Sequence, residues 1–369
     1  MKPSAHRQRG RPVDEAAAEE LEQLLGATPL DRHLLIEYLH RIQDHHGHLP
    51  VRLLVALAPR MRLSAAEVYE VASFYHHFDI VEDSDANPVR PTIRVCDSVS
   101  CALAGAEELI TALDEALDPA GCRVQRVSCI GRCDQAPAAA VGRRVIGHAS
   151  ADRIAGAVDR GPTGPAPLSP IGYDACRRSG GYRLAANLLG SGDDAIEQVI
   201  DNVSRSGSRG RGGAGFPTAQ KWRIVRSHPG PRLLAVNIDE GEPGTFKDRH
   251  CLERDPHRFL EGMLIAAWVV DAETVYVYLR DEYADCRQML QSELAALHRD
   301  PPCPLPRIEL RRGAGASIGG EESALIASIE GRRGRPRLRP PYVAEHGLFG
   351  RPPLVHYLET LHRLRDILA

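Results

Sequence analysis

The sequence predicts a mixed α/β (α+β) protein in which a helical bundle and a small mixed sheet precede a larger α/β unit. Three observations lead there. Apolar residues recur at helical spacing through residues 15–80, a strand–helix–strand–strand–helix order follows to about 160, and strands alternate with helices beyond a proline-rich break. At 369 residues the chain is long enough for two or three cores.

The first unit, 15–88, is read from "AAAEELEQLL", "DRHLLIEYLHRIQDHHG" and "SAAEVYEVASFYHHF", the last opened by Ser64 with Glu67 as a capping box. The second, 89–160, begins with "PTIRVC", which alternates like a strand. "GAEELITALDEALD" is an amphipathic helix and "RVQRVSC" a second strand. "PAAAVGRRVIGHA" reads as two strands around a Gly-Arg turn, and "SADRIAGAVDR" is a closing helix capped by Ser150. That β-α-β-β-α order is the order of a thioredoxin-like sheet. "GPTGPAPLSP" holds four prolines and two glycines and marks a linker, with connecting helices over 161–200. The last unit, 201–369, carries strands in "PRLLAVNI", "ETVYVYL" and "RIELRRG". Between them lie helices in "RHCLERDPHRFLEGMLIAAWVV" and "YADCRQMLQSELAALH".

Composition narrows the function classes. A formal net charge of −3 gives no pull toward nucleic acid or an anionic membrane. "MKPSAHRQRGRPVDEAAAEE" has no apolar leader region, and runs such as "MLIAAWVV" are too short to span a bilayer. A cytoplasmic, reducing setting is expected, where nine cysteines serve as metal ligands or catalytic groups rather than as disulfides.

Four of those cysteines form a pattern. Cys96 and Cys101 enclose four residues, Cys129 and Cys133 enclose three, and each pair follows a predicted strand. Two loops leaving one edge of a sheet bring four thiolates together, which suits zinc or a 2Fe–2S cluster. Zinc knuckles commonly enclose two residues, so the wider loops favour the binuclear cluster. A redox dithiol and plain burial are the competing readings. Cys122, Cys176, Cys251, Cys286 and Cys303 are scattered and read as inert. "LSAAEVYEVASFYHHF", the C-x4-C pair and "CIGRCDQAPA" resemble the small 2Fe–2S subunit of respiratory complex I and its relatives in soluble NAD-linked hydrogenases and formate dehydrogenases. The resemblance implies that Cys96, Cys101, Cys129 and Cys133 hold the cluster.

"GRGGAGF" satisfies G-x-G-x-x-G through Gly210, Gly212 and Gly215. Such loops let main-chain amides approach a phosphate. A helix precedes the loop, which disfavours a Rossmann unit, and no Gly-Lys-Ser/Thr follows. A glycine linker competes, but Phe216, Lys221 and Trp222 are unusual in linkers. Asp239, Glu240 and Glu242 follow a strand and suit Mg²⁺, a solvated turn or sugar hydroxyls. Glu321 and Glu322 open a helix after another glycine turn, and the basic loop beyond lacks the aromatic platform of a nucleic-acid site.

Taken in order, "RGRGGAGFPT", "DEGEPGTFKDR", "GEESAL" and "EGRRGRPRLRPP" resemble the flavin- and NADH-binding subunit of complex I and the same soluble relatives. The resemblance implies FMN along the loop Gly210–Arg211–Gly212–Gly213–Gly215, contacted also by Lys221, Asn237, Asp239, Glu240, Gly320 and Glu321. It places Phe216 and Tyr342 beside the adenine of NADH, and Glu242 and Glu322 along the rest of the dinucleotide, with Glu242 near the nicotinamide. Hydride passes between two rings held face to face, so no acid, base or nucleophile is required of the protein. The carboxylates disfavour the extra phosphate of NADPH, which points to NADH.

Three departures from the resemblance stand out. No C-x-x-C-x-x-C motif for a 4Fe–4S cluster is present before Ala369. His356 and Tyr357 stand where the family usually has two asparagines near the FMN phosphate. Ser317 and Gly319 stand where it usually has tyrosine and cysteine. The histidines at 45, 46, 48, 76 and 77 have no evident cysteine or carboxylate partner and read as surface or packing residues. The expectation is an NADH dehydrogenase: an FMN-dependent diaphorase module that hands electrons to a 2Fe–2S cluster and to other subunits of a redox complex. The competing expectation is a non-catalytic iron–sulfur subunit.

Overall fold

A computed structural model describes residues 11–85, 88, 90–161 and 164–369. The first ten residues, read above as polar, and Pro162 and Thr163 of the linker lie outside the described residues.

The bundle comprises α1 (Glu15–Leu25), α2 (Leu35–His46), α3 (Val51–Arg60) and α4 (Ala65–Phe74), with a parallel bridge between β1 (Leu49–Pro50) and β2 (Ile80–Val81). Its stripes of Leu21, Leu39, Leu53, Leu57 and Val68 meet in one core. The capping box forms both ways: the Glu67 amide donates to Ser64 Oγ at 3.2 Å and the Ser64 amide to Glu67 Oε2 at 3.0 Å.

The second unit has β3 (Thr92–Cys96), α5 (Val99–Leu103), α6 (Ala106–Ala116), β4 (Arg123–Val127), β5 (Ala139–Val141), β6 (Arg144–Ile146) and α7 (Ala151–Asp159). Its strands lie in the order β4-β3-β5-β6, with β3 and β4 parallel and the other pairs antiparallel. Gly142 and Arg143 form the expected turn.

The third unit is an all-parallel sheet in the order β10-β7-β8-β9, formed by β7 (Arg232–Ile238), β8 (Ala272–Leu279), β9 (Arg307–Arg312) and β10 (Pro353–Tyr357). Around it pack α8 (Tyr173–Arg178), α9 (Arg183–Leu189), α10 (Asp194–Arg205), α11 (Thr218–Ser227), α12 (Lys247–Arg254), α13 (Pro256–Val269), α14 (Ala284–Arg299), α15 (Glu322–Ile329), α16 (Leu358–His362) and α17 (Leu364–Leu368). The α/β class expected from the sequence is the class observed.

Three details differ from the sequence reading. The segment read as connecting helices buries Tyr173, Tyr182, Ile196 and Val199 in the same core as Leu234 and Val277. The single long helix read over 249–270 is two, because Pro256 has no amide to continue the ladder and Asp255 caps a new start through the Arg258 amide at 3.2 Å. Residues 353–357, unassigned in the sequence, form the edge strand, opened by Pro353 where no ladder donor is needed.

Asp281, just past β8, joins all three units. It pairs with His77 Nδ1 of the bundle at 2.9 Å, with Arg143 of the small sheet at 3.0 Å and with Arg312 of its own unit at 2.5 Å. Among the described residues no helix is long and apolar enough to cross a membrane.

Candidate functional site

The four thiols converge as the strand order requires. Strands β3 and β4 run parallel, with Cys96 opposite Val127, so their loops leave the same edge of the sheet. Cys96 ends β3, Cys101 sits on the short α5, and Cys129 and Cys133 follow β4. Cys96, Cys101 and Cys129 are buried. Cys96 is hydrogen-bonded to the thiols of Cys101 and Cys129, and the Cys129 and Cys133 sulfurs lie 3.4 Å apart.

Those hydrogen bonds hold the Cys96 thiol far below its ordinary range and push Cys101 and Cys129 above it. A metal centre would displace the shared protons and take all four groups as thiolates. Main-chain amides already point at the sulfurs: Gly131 donates to Cys129 at 3.3 Å and Gly244 to Cys133 at 3.1 Å. The contacts run Cys101–Cys96–Cys129–Cys133, and an all-sulfur set of four fits two bridged irons.

The cluster loop is clamped onto the third unit by groups that the sequence reading missed. Arg249 Nε donates to the Gly131 carbonyl at 3.0 Å, and Arg280 Nη2 to the Cys129 carbonyl at 2.5 Å. Arg132 is buried in an ion pair with Asp285 and reaches Glu253 at 2.8 Å. A Cβ on Gly131 would lie 2.4 Å from the Tyr283 ring, so this chain reversal, at φ +73°, requires glycine twice over.

At the other end of the site, the C-terminal edge of the parallel sheet gathers the glycine segments, as open α/β sheets do. The Gly210 amide donates to the Phe216 carbonyl at 2.9 Å and closes the 210–216 loop. Arg211, Gly212 and Gly213 are exposed within it and Gly215 is half-buried. Tyr357, at the tip of β10, spans the gap to the second glycine turn. Its ring would meet a Cβ on Gly212 at 2.1 Å, and its hydroxyl donates to the Gly320 carbonyl at 2.8 Å. That carbonyl also accepts from Asn237 Nδ2 at 2.8 Å. Gly319 has no room for a side chain, since its Cβ would lie 1.9 Å from Asp239 Oδ2.

The structure thus brings Gly212, Gly320, Asn237 and Asp239 together and treats the other named residues differently. Asp239 makes no side-chain hydrogen bond among the described residues, and burial pushes its carboxyl up to about 7 against the opposing pull of Arg280. It is an open acceptor suited to sugar or ribityl hydroxyls. Glu240 has structural partners. Its carboxylate accepts from the Asp248 amide at 3.1 Å, the Arg249 amide at 3.3 Å and the Tyr283 hydroxyl at 3.0 Å, capping α12. Glu321 is likewise the N-cap of α15, accepting from the Ser323 and Ala324 amides at 2.9 Å. Lys221 pairs with Glu322 at 3.2 Å. Phe216, Tyr342 and Glu242 are exposed.

His356 is a packing residue. The buried Trp222 indole donates to its Nε2 at 2.8 Å, and burial near Lys221 keeps the ring neutral, well below the usual histidine range. The absence of partners read for the bundle histidines is corrected: His77 pairs with Asp281, and His46 with Glu20 at 3.0 Å.

With this geometry in hand, comparison with known proteins is informative. A family model described as the Nuo51 FMN-binding domain matches residues 203–366, and the thioredoxin-like [2Fe-2S] ferredoxin model matches residues 21–160. The alpha subunit of the NAD-reducing hydrogenase HoxS of Cupriavidus necator is 34% identical over 380 residues, covering 92% of this chain and 62% of that protein. The mitochondrial NADH-ubiquinone oxidoreductase 51 kDa subunit of Neurospora crassa is 40% identical over 198 residues, covering 50% of this chain and 40% of its own. The crystal structure of an air-oxidized NAD⁺-reducing [NiFe]-hydrogenase superposes with a TM-score of 0.76 at 34% identity, over 91% of this chain and 61% of that one. The chain spans between 40% and 62% of the length of these relatives.

Proposed function

We propose, for a chain that belongs in its two halves to the thioredoxin-like [2Fe-2S] ferredoxin and Nuo51 FMN-binding families, that it works as an NADH-oxidising diaphorase module. The observation that carries the reading is one hydrogen bond. The loop that leaves β7 through Asn237 and Asp239 ends with the Gly244 amide on the sulfur of Cys133, at 3.1 Å. Carboxylate loop and sulfur set are thereby parts of one connected structure.

The residues divide the work. The exposed residues 211–214 of the loop would let main-chain amides approach a phosphate. Asp239 would accept from ligand hydroxyls beside the Gly319–Gly320 turn, and Asn237 holds that turn in place through the Gly320 carbonyl. Lys221 supplies positive charge from α11, offset in the free chain by Glu322. Phe216 and Tyr342 offer exposed rings for an adenine, and Glu242 and Glu322 repel the additional phosphate of NADPH. FMN, when bound, takes a hydride and releases electrons singly, which suits a one-electron acceptor. The amides of Gly131 and Gly244 stabilise added negative charge on the sulfurs.

Other subunits of a redox assembly, of the hydrogenase or ubiquinone-reductase kind that the relatives' names describe, would receive the electrons. A reducing, cytoplasmic setting is supported by nine unpaired cysteines. The test is reconstitution with iron, sulfide and FMN under anaerobic conditions. NADH should bleach the flavin band and raise the electron paramagnetic signal of a reduced 2Fe–2S centre, faster than NADPH does. Protein with intact iron that takes up no FMN would remove the enzyme reading and leave the non-catalytic one.

A further inference from the structure

The three units enclose a cavity of about 520 Å³ that belongs to neither the sulfur set nor the glycine loops. Its wall is drawn from the bundle (His76, His77), from the small sheet (Arg94, Arg143) and from the start of α14 (Ala284). The volume is that of a small-molecule site. Apolar groups, Ile130 and Val145 among them, make up much of the lining.

Charge within it is unbalanced. Each carboxylate on the wall already has a cationic partner. Asp44 lies 2.6 Å from Arg143 and 2.7 Å from Arg312. Asp281 holds His77, Arg143 and Arg312, and Glu282 holds Arg280 at 3.1 Å. Arg94 is different. It projects from the middle of β3, is half-buried, and makes no hydrogen bond or ion pair among the described residues. Burial disfavours its charge, and Asp281 and Asp79 act on it only at a distance. A partly buried guanidinium that faces a cavity with no paired counter-ion is free to accept one. A metal ion is not the missing partner. His40, His77 and Asp281 do converge within 4.8 Å, but two guanidinium groups already neutralise that carboxylate.

We propose that this cavity binds a small organic anion, an apolar body carrying a single phosphate, sulfonate or carboxylate group that seats on Arg94. Its occupant would touch all three units at once. It would also lie against Ser128 and Ile130, the neighbours of Cys129. Arginine is suited to the task because its planar fork matches such groups with two parallel hydrogen bonds.

The experiment uses the full chain and the fluorescent probe anilinonaphthalene sulfonate, with phenyl phosphate and benzoate as competitors. Saturable binding of one probe per chain is expected, about tenfold weaker or more in Arg94→Gln and within about threefold of the parent in Arg94→Lys. Ala140→Phe, which fills the cavity from β5 directly opposite Arg94, should abolish probe binding. Displacement by phenyl phosphate or by benzoate identifies the preferred head group. Unchanged affinity in Arg94→Gln and Ala140→Phe would overturn the proposal, as would displacement by neither competitor. Displacement by FMN or NADH alone would place the probe at the glycine loops and overturn it equally.

Discussion

The sulfur loop and the glycine loop differ in how they are held. The first is locked. Arg132, Arg249 and Arg280 are buried and bonded to it or beside it, and Tyr283 closes over Gly131. The second is open. Residues 211–214 are exposed, and one tyrosine ring spans the gap between its two glycine turns. The difference suits the division of labour proposed above. A cluster that only gains and loses electrons is best served by fixed ligands and fixed amides, whereas a dinucleotide must enter and leave.

The sharpest way to break the contrast is at the sulfurs. Cys133→Ser removes one of four ligands, and we expect complete loss of the 2Fe–2S signal while NADH still bleaches the flavin. Loss of both responses together would show that the two loops are not separable functions. Next in size is Arg249→Ala, which strips the Gly131 carbonyl, Glu253 and Asp134 of a buried partner. A loss of about 3 kcal/mol in denaturant unfolding is expected, with cluster content falling in parallel. A cost below about 1 kcal/mol would mean the clamp is not the source of rigidity. Gly212→Val drives a side chain into Tyr357 and should cost about 1–3 kcal/mol, with FMN uptake reduced and the cluster signal unchanged.

Two smaller effects sharpen the picture of the open site. The Asp239 carboxyl is raised to about 7 in the folded chain. The folded form therefore holds a proton that the unfolded chain, with an ordinary value of about 3.9, has released. Stability should fall as pH rises from about 4 to about 7 and be flat above. Asp239→Asn removes that slope and should stabilise the flavin-free chain by about 1–2 kcal/mol at neutral pH, allowing for screening at a half-buried position. Parallel pH profiles of parent and variant would refute this. Tyr357→Phe deletes the bond to the Gly320 carbonyl and should cost about 0.5–1.5 kcal/mol by the same measurement.

The same contrast decides what was legible in the sequence. The cysteine spacings and the glycine run are local patterns, and their strand-end positions follow from short-range alternation. The clamp is not local. Arg249, Arg280 and Tyr283 look like ordinary surface residues until the sheet brings them to a loop more than a hundred residues earlier in the chain. Asp281 and its histidine partner were hidden for the same reason. Glu240 and Glu321 show a different limit. Their position beside glycine turns suggests ligand contact, and the structure adds a second use, because each also satisfies amides at a helix start. That second use shows only in the amide inventory of α12 and α15.

The carboxylate of Asp281 answers to all three units at once, and so bears on how the chain tolerates dissection. Cut at the proline-rich joint, each fragment would lose partners that lie across the cut: Asp281 would keep Arg312 but lose His77 and Arg143, and Arg143 would keep Asp44 but lose Asp281. Neither half should therefore inherit the temperature tolerance of the whole, and co-expression of the halves should recover more of it than mixing them after purification.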